Sequence, residues 1–231
     1  MKNFAKTFSA IMAAAVIFGT SAIPISADKL KVTDGIIYKY DDNSNLIGKF
    51  SGWAETDGVS RRYIDGKPYT GWLKNKDGTY KYVLDGYIVK GEFPIKNTVC
   101  TFDENGILID RKIADIIVWQ DGQIYEGEDG ITTNVEAVRK GSYNMYDVEK
   151  FERWENGEWV DCLGNDVEYV TYDIIYNVNS EDITLMLVFE NERYTGGKIN
   201  AGYYRMTFPA SDGDNGFNVY AIIKVENKIT Y

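Results

Sequence analysis

Carboxylates in pairs and aromatic rings at a repeating interval are the two features of this sequence that could do chemistry. Paired acids can act as proton donor and nucleophile across a glycosidic bond, and Glu126, Glu128, Asp129 and Glu152 are the candidates. With 35 acidic residues against 25 basic ones and a net charge of −10, such acids equally make a solvated surface. Histidine, the side chain that most often does acid–base work or ligates zinc near neutral pH, is absent. Oxygen ligands cluster at Asp212-Gly213-Asp214-Asn215-Gly216, but without the loop spacing and closing glutamate of a calcium site, and a polar hairpin loop accounts for them. Nucleotide-binding glycine loops, nucleophile elbows and cysteine-based zinc patterns are missing as well. No catalytic residue, metal or cofactor is therefore assigned, and the expectation is a non-enzymatic protein. Cys100 and Cys162 either bridge the two halves of the chain or stand as separate small thiols.

The rings recur with their glycines. Gly52-Trp53 returns as Gly71-Trp72 and, altered, as Gly91-Glu92-Phe93, while Asp65-Gly66 returns as Asp85-Gly86 and Asn105-Gly106. The period is roughly twenty residues. Before each turn stands a ring-bearing stretch, namely Tyr38-Lys39-Tyr40, Arg62-Tyr63, Tyr80-Lys81-Tyr82 and Cys100-Thr101-Phe102, with the two-residue alternation of a strand. Asp-Gly suits type I′ turns, where both residues need positive φ. Each unit is thus expected to be a short β-hairpin. One hairpin cannot bury its rings alone, so successive units must stack.

The run Tyr63-Ile64-Asp65-Gly66-Lys67-Pro68-Tyr69-Thr70-Gly71-Trp72, echoed by Tyr82-Val83-Leu84-Asp85-Gly86 and Gly91, resembles the choline-binding and glucan-binding cell-wall repeats of secreted bacterial proteins. The resemblance implies a β-solenoid of stacked hairpins whose rings cage choline or lie against sugars. At the matching positions the ligand-binding candidates are Trp53, Tyr63, Trp72, Tyr80, Tyr82 and Phe93. Ring faces attract quaternary ammonium groups and accept the C–H face of a sugar, yet the same rings could simply form the stacking core. Where the family has Trp-Tyr-Tyr, this chain has Arg61-Arg62-Tyr63 and Tyr80-Lys81-Tyr82. The arginines repel a cationic ligand, which tells against choline and leaves a wall polymer or glycan as the expected partner.

Near Arg111 to Ala114 the repeat fades and longer strands are predicted at Ile116–Gln120, Thr132–Arg139, Val148–Trp154, Trp159–Leu163, Val167–Tyr176, Ile183–Phe189, Tyr203–Phe208 and Phe217–Val225. Their length and turn-rich breaks suit a β-sandwich. Asn156-Gly157 between Trp154 and Trp159 is a strong hairpin signal. Phe151-Glu152-Arg153, Asn156-Gly157-Glu158-Trp159 and the later Lys198-Ile199-Asn200-Ala201-Gly202-Tyr203-Tyr204-Arg205 look like the bacterial immunoglobulin-like domain found in secreted Firmicutes proteins. That likeness implies a sandwich and no particular activity.

The compartment is read from the N-terminus. Lys2 and Lys6 precede an apolar run, Ile11 to Phe18, too short to span a bilayer, and Ala27-Asp28 is the expected cleavage point of a signal peptide. Neither a lipid-anchored cysteine at that bond nor a C-terminal sorting tail is present, so surface attachment is expected to be noncovalent. The excess of acid argues against nucleic acid and anionic membranes as partners. The sequence therefore predicts an all-β protein: a signal peptide over 1–27, a short β-hairpin repeat solenoid over 28–112, and an immunoglobulin-like β-sandwich over 113–231. It is expected to be secreted, to lack a transmembrane segment once mature, and to bind wall or glycan through its rings. In the alternative, the repeats are a stalk and the sandwich binds a surface protein.

Overall fold

The computed structural model describes residues 29–56, 59–128, 130–162, 175–179, 185–190, 199–213 and 215–228. Every extended element among them is a β-strand, and no helix among the described residues is long and apolar enough to cross a membrane. The expected leader and Val167 to Ile174 of one expected strand lie outside the described residues. Packing divides the chain between Val89 and Lys90, so the hairpin beginning at Gly91 is grouped with the longer strands that follow it.

The front unit consists of three-stranded antiparallel sheets. The first joins β1 (Leu30–Thr33), β2 (Ile36–Tyr40) and β3 (Leu46–Lys49); the second β4 (Gly52–Thr56), β5 (Val59–Ile64) and β6 (Lys67–Pro68); the third β7 (Gly71–Lys74), β8 (Tyr80–Leu84) and β9 (Tyr87–Ile88). One tight turn in each sheet is of type I′, at an Asp-Gly pair. Asp34 and Gly35 have φ of 50° and 73°, Asp65 and Gly66 49° and 75°, and Asp85 and Gly86 50° and 88°.

What joins one sheet to the next is a closed triangle of backbone hydrogen bonds. The Gly66 N–H donates to the Phe50 carbonyl at 2.7 Å, Phe50 to Ile37 at 2.8 Å, and Ile37 back to Gly66 at 2.9 Å. The triangle recurs one repeat later, from Gly86 to Tyr69 at 2.7 Å, Tyr69 to Arg62 at 3.0 Å, and Arg62 to Gly86 at 2.7 Å. Hydroxyls steady both turns: Ser51 Oγ accepts from the Asp65 N–H and Thr70 Oγ1 from the Asp85 N–H, each at 2.9 Å. Only glycine fits the apex. A Cβ on Gly66 would stand 2.6 Å from the Ile37 carbonyl oxygen, and one on Gly86 2.9 Å from that of Arg62. Under the first triangle Ile37, Phe50, Ala54 and Tyr63 form a small buried core, with Leu30 against it.

The rear unit opens with a sheet of β10 (Gly91–Ile95), β11 (Thr98–Phe102) and β12 (Leu108–Ile113). Next come β13 (Ile116–Gln120), β14 (Ile124–Tyr125), β15 (Gly130–Ala137), β16 (Ser142–Tyr146), β17 (Lys150–Glu155), β18 (Glu158–Asp161), β19 (Ile175–Asn179), β20 (Leu185–Glu190), β21 (Gly202–Ser211) and β22 (Gly216–Glu226). One sheet has the order β13-β15-β20; the larger runs β14-β22-β21-β16-β19, with β17 on β21 and β18 on β17. Pairing is antiparallel except where β14 lies parallel to β22. Inward side chains follow the two-residue period: Val219, Ala221, Ile223 and Val225 of β22 meet Met206 and Phe208 of β21, and Ile116, Val118, Ile131 and Val135 of the smaller sheet join the same core. The two sheets therefore face one another, as the turn-rich pattern predicts.

A glycine at the triangle apex is both left-handed and sterically confined. Gly86→Ala is expected to destabilise the front unit by about 1–3 kcal/mol, seen as a lower denaturant midpoint. Gly78→Ala, at a positive-φ site with nothing within 4 Å of its Cβ, is expected to cost less. Equal losses at the two sites would show that the triangle contributes nothing.

Candidate ligand-binding face

Strand register decides which rings can meet a ligand. Directly opposed residues of an antiparallel pair project to the same side, and Gly52, Gly71 and Gly91 face Tyr63, Val83 and Phe102. Those partners are buried, so this side is the inner one. One residue on, Trp53 faces Arg62, Trp72 faces Tyr82, and Glu92 faces Thr101. Trp53, Trp72, Tyr82 and Tyr80 thus belong to outer sides. Tyr63, at 9% exposure, and Phe93, at 2%, point inward and pack.

The Gly-Trp pair is locked by the ring two residues before its glycine. The Tyr69 ring covers Gly71, where a Cβ would come within 2.6 Å of its hydroxyl, and that hydroxyl donates to the Trp72 carbonyl at 2.9 Å. Phe50 covers Gly52 in the same way. Trp72 is held on a defined platform as a result. Its ring meets Tyr82 edge-on, with centroids 5.3 Å apart and planes at 76°. Trp72 remains 37% and Tyr80 42% exposed. Lys74 Nζ lies 5.7 Å from the Tyr80 centroid, and the Arg62 guanidinium 5.9 Å from that of Trp53. Such a face offers ring surface to sugar C–H groups beside hydroxyl and cationic donors.

On the inner side Arg61 ties the second sheet to the third. Its Nε donates to the Asp85 carbonyl at 2.9 Å, its Nη2 pairs with the Asp85 carboxylate at 2.5 Å, and its guanidinium lies 4.9 Å from the Tyr87 ring. Arg61 and Arg62 are neighbours in sequence with different tasks.

Phe93 belongs to a cluster in the rear unit that sequence reasoning missed. It stacks on Trp159 at 6.3 Å and 20°, Trp154 leans on Trp159 at 4.8 Å, and the Arg205 guanidinium lies 4.8 Å from the Trp159 ring. Arg205 pairs with Glu152 at 2.7 Å and lies 5.7 Å from Tyr220, whose hydroxyl donates to Glu92 at 2.8 Å. Here Glu152 is a structural counterion. The signal was Glu92 itself: a carboxylate where the repeat has tryptophan finds its partner on β22. The motif segments around Phe151 and Tyr204 also meet, since Phe151 stacks on Tyr204 at 5.3 Å and Arg153 donates to the Ala201 carbonyl at 3.1 Å.

The other chemical candidates are dispersed. Glu126 and Glu128 lie in the loop after β14, and Asp129 and Asp214 lie outside the described residues. Among the described residues no group of three or more acidic or cysteine side chains is arranged to hold a metal. Cys100 and Cys162 are free thiols, the first buried and the second half-buried. A groove of about 690 Å³ in the rear unit is lined by Arg111, Ile113, Trp119, Arg139, Phe217 and Tyr220, among others.

No protein-family model matches the chain, and no curated protein matches it. Among solved structures it is similar to alternansucrase in complex with isomaltononaose, at 14% identity and a TM-score of 0.19, over 71% of this chain and 14% of that one. At that score the likeness bears on neither fold nor function. The present chain spans a small fraction of that protein's length.

Burial raises the Cys162 thiol to about 11 and pushes Tyr143, Tyr204 and Tyr220 above the usual phenol value. A group raised in this way stays neutral in the fold while the unfolded chain ionises. Its stabilising contribution is complete below about pH 9 and is lost as the pH climbs toward 11. The denaturant midpoint followed by tryptophan fluorescence is expected to be level near neutrality and to fall through that window; a level midpoint throughout would contradict the burial.

Proposed function

We propose that this chain is a secreted, non-enzymatic surface protein that binds a cell-wall polymer or other extracellular glycan through the outer ring face of its hairpin repeats. The observation that carries the reading is Trp72: a tryptophan more than one-third exposed, with its backbone fixed by Tyr69 and its ring set against Tyr82. A large ring held rigidly at the surface gives up little conformational entropy when a sugar lies on it. The Gly-Trp repetition and the resemblance to wall-binding repeats support the same reading. Binding at a single ring pair is weak, and useful retention comes from several pairs engaging one polymer.

The rear module then serves as a spacer or as an immunoglobulin-like partner-recognition module. Its groove, with partly exposed Ile113 and Trp119, favours a second reading in which that module captures a protein and the repeats are a stalk. The readings separate by mutation. On the first, the protein co-sediments with purified wall or polysaccharide, and Trp53→Ala with Trp72→Ala weakens retention about tenfold at unchanged thermal midpoint. On the second, those changes leave retention intact and only lower the midpoint. Failure to sediment with any wall or glycan fraction would overturn the first reading.

A further inference from the structure

Charge is unevenly divided along the chain. Residues 28–89 hold ten Lys or Arg against nine Asp or Glu, whereas residues 90–231 hold 13 against 26. The acidity that argues against polyanions belongs to the rear module, and the repeats are close to neutral with a slight positive excess.

On the outer side of each sheet of the front unit a cation lies near a ring. Lys31 Nζ lies 4.7 Å from the Tyr40 centroid, the Arg62 guanidinium 5.9 Å from Trp53, and Lys74 Nζ 5.7 Å from Tyr80. In each sheet this is the side opposite the buried Ile37, Tyr63 or Val83. Among the described residues none of these cations pairs with a carboxylate, although Lys29 and Arg61 of the same unit pair with Asp42 and Asp85.

A ring face that already holds a cation attracts no second one. The seated cation, lacking a counterion, draws an anion to the ring's edge. We infer that the ligand of this face is an anionic polysaccharide, its sugars lying on Trp72, Tyr82 and Trp53 and its acidic groups meeting Lys74, Arg62 and Lys31. The inference rests on the glycan reading above and names its substrate class. Carboxylates of uronic acids and phosphodiesters of polyol chains share the required chemistry.

Calorimetry on the full chain from Asp28 tests it, with polygalacturonate, poly(glycerol phosphate), neutral dextran and single-stranded DNA as titrants. One or both of the first two are expected to bind tighter than dextran and DNA and to weaken as salt rises; which of them binds identifies the acidic group. Combining Lys31→Gln, Arg62→Gln and Lys74→Gln is expected to weaken that binding about tenfold at unchanged thermal midpoint. Should the triple variant be less stable, exposed Lys74→Gln alone is expected to weaken binding about threefold. Dextran bound as tightly as either acidic polymer and indifferent to these changes would overturn the anionic assignment while leaving the glycan reading standing. DNA bound as tightly would also overturn it, since charge alone would then suffice. Absence of binding to any titrant would overturn both.

Discussion

The backbone triangle that closes through Gly66, and again through Gly86, is the constraint on which the front half depends. A three-stranded sheet of this size has too little apolar area to fold alone. Each triangle gives it a neighbour by directional backbone bonds, to which the Ser51 and Thr70 hydroxyls and, at the second junction, Arg61 add side-chain support. The side chains beside it are then free to differ between repeats, as Ile37 and Arg62 do at equivalent corners. The hydroxyl at Ser51 and Thr70 recurs while the rings around it vary.

Once the turn is fixed, register distributes the rings. The residue after each strand-opening glycine goes outward and the next inward, so tryptophan in the first position meets solvent and phenylalanine in the second meets the core. In the outward position Trp53 lies beside the Arg62 guanidinium, and on the outer side of the third sheet Lys74 lies over Tyr80 while Trp72 meets Tyr82, so these outer sides carry rings and cations together. In the third hairpin that position holds Glu92, and its carboxylate turns to Tyr220. One substitution thus marks the change from an exposed ring to a carboxylate tethered by hydrogen bond to β22.

Much of this was legible in the residues. Asp-Gly and Asn-Gly announce their left-handed φ values because few other pairs tolerate them, and β13 follows directly from Ile116–Gln120. Side-chain direction was less legible. Tyr63 and Phe93 are rings like the others, and only counting from the glycine separates inward from outward. β16 was not expected, since Ser142-Tyr143-Asn144-Met145-Tyr146 shows just two inward residues between polar ones. Its place is decided by partners distant in sequence, β19 and β21. The Glu92–Tyr220 and Arg205–Glu152 contacts span more than fifty positions and leave no local trace.

The tether at Glu92 and Phe93 also bears on how such a chain can lengthen. A tandem duplication of one hairpin cassette preserves every contact only where incoming and outgoing junctions are alike, which holds among the sheets upstream of Lys90. Copying the cassette that begins at Gly91 would produce two acidic ends competing for one phenol and two phenylalanines for one indole. Duplication is thereby confined to the leading cassettes, and the one that begins at Gly91 stays singular.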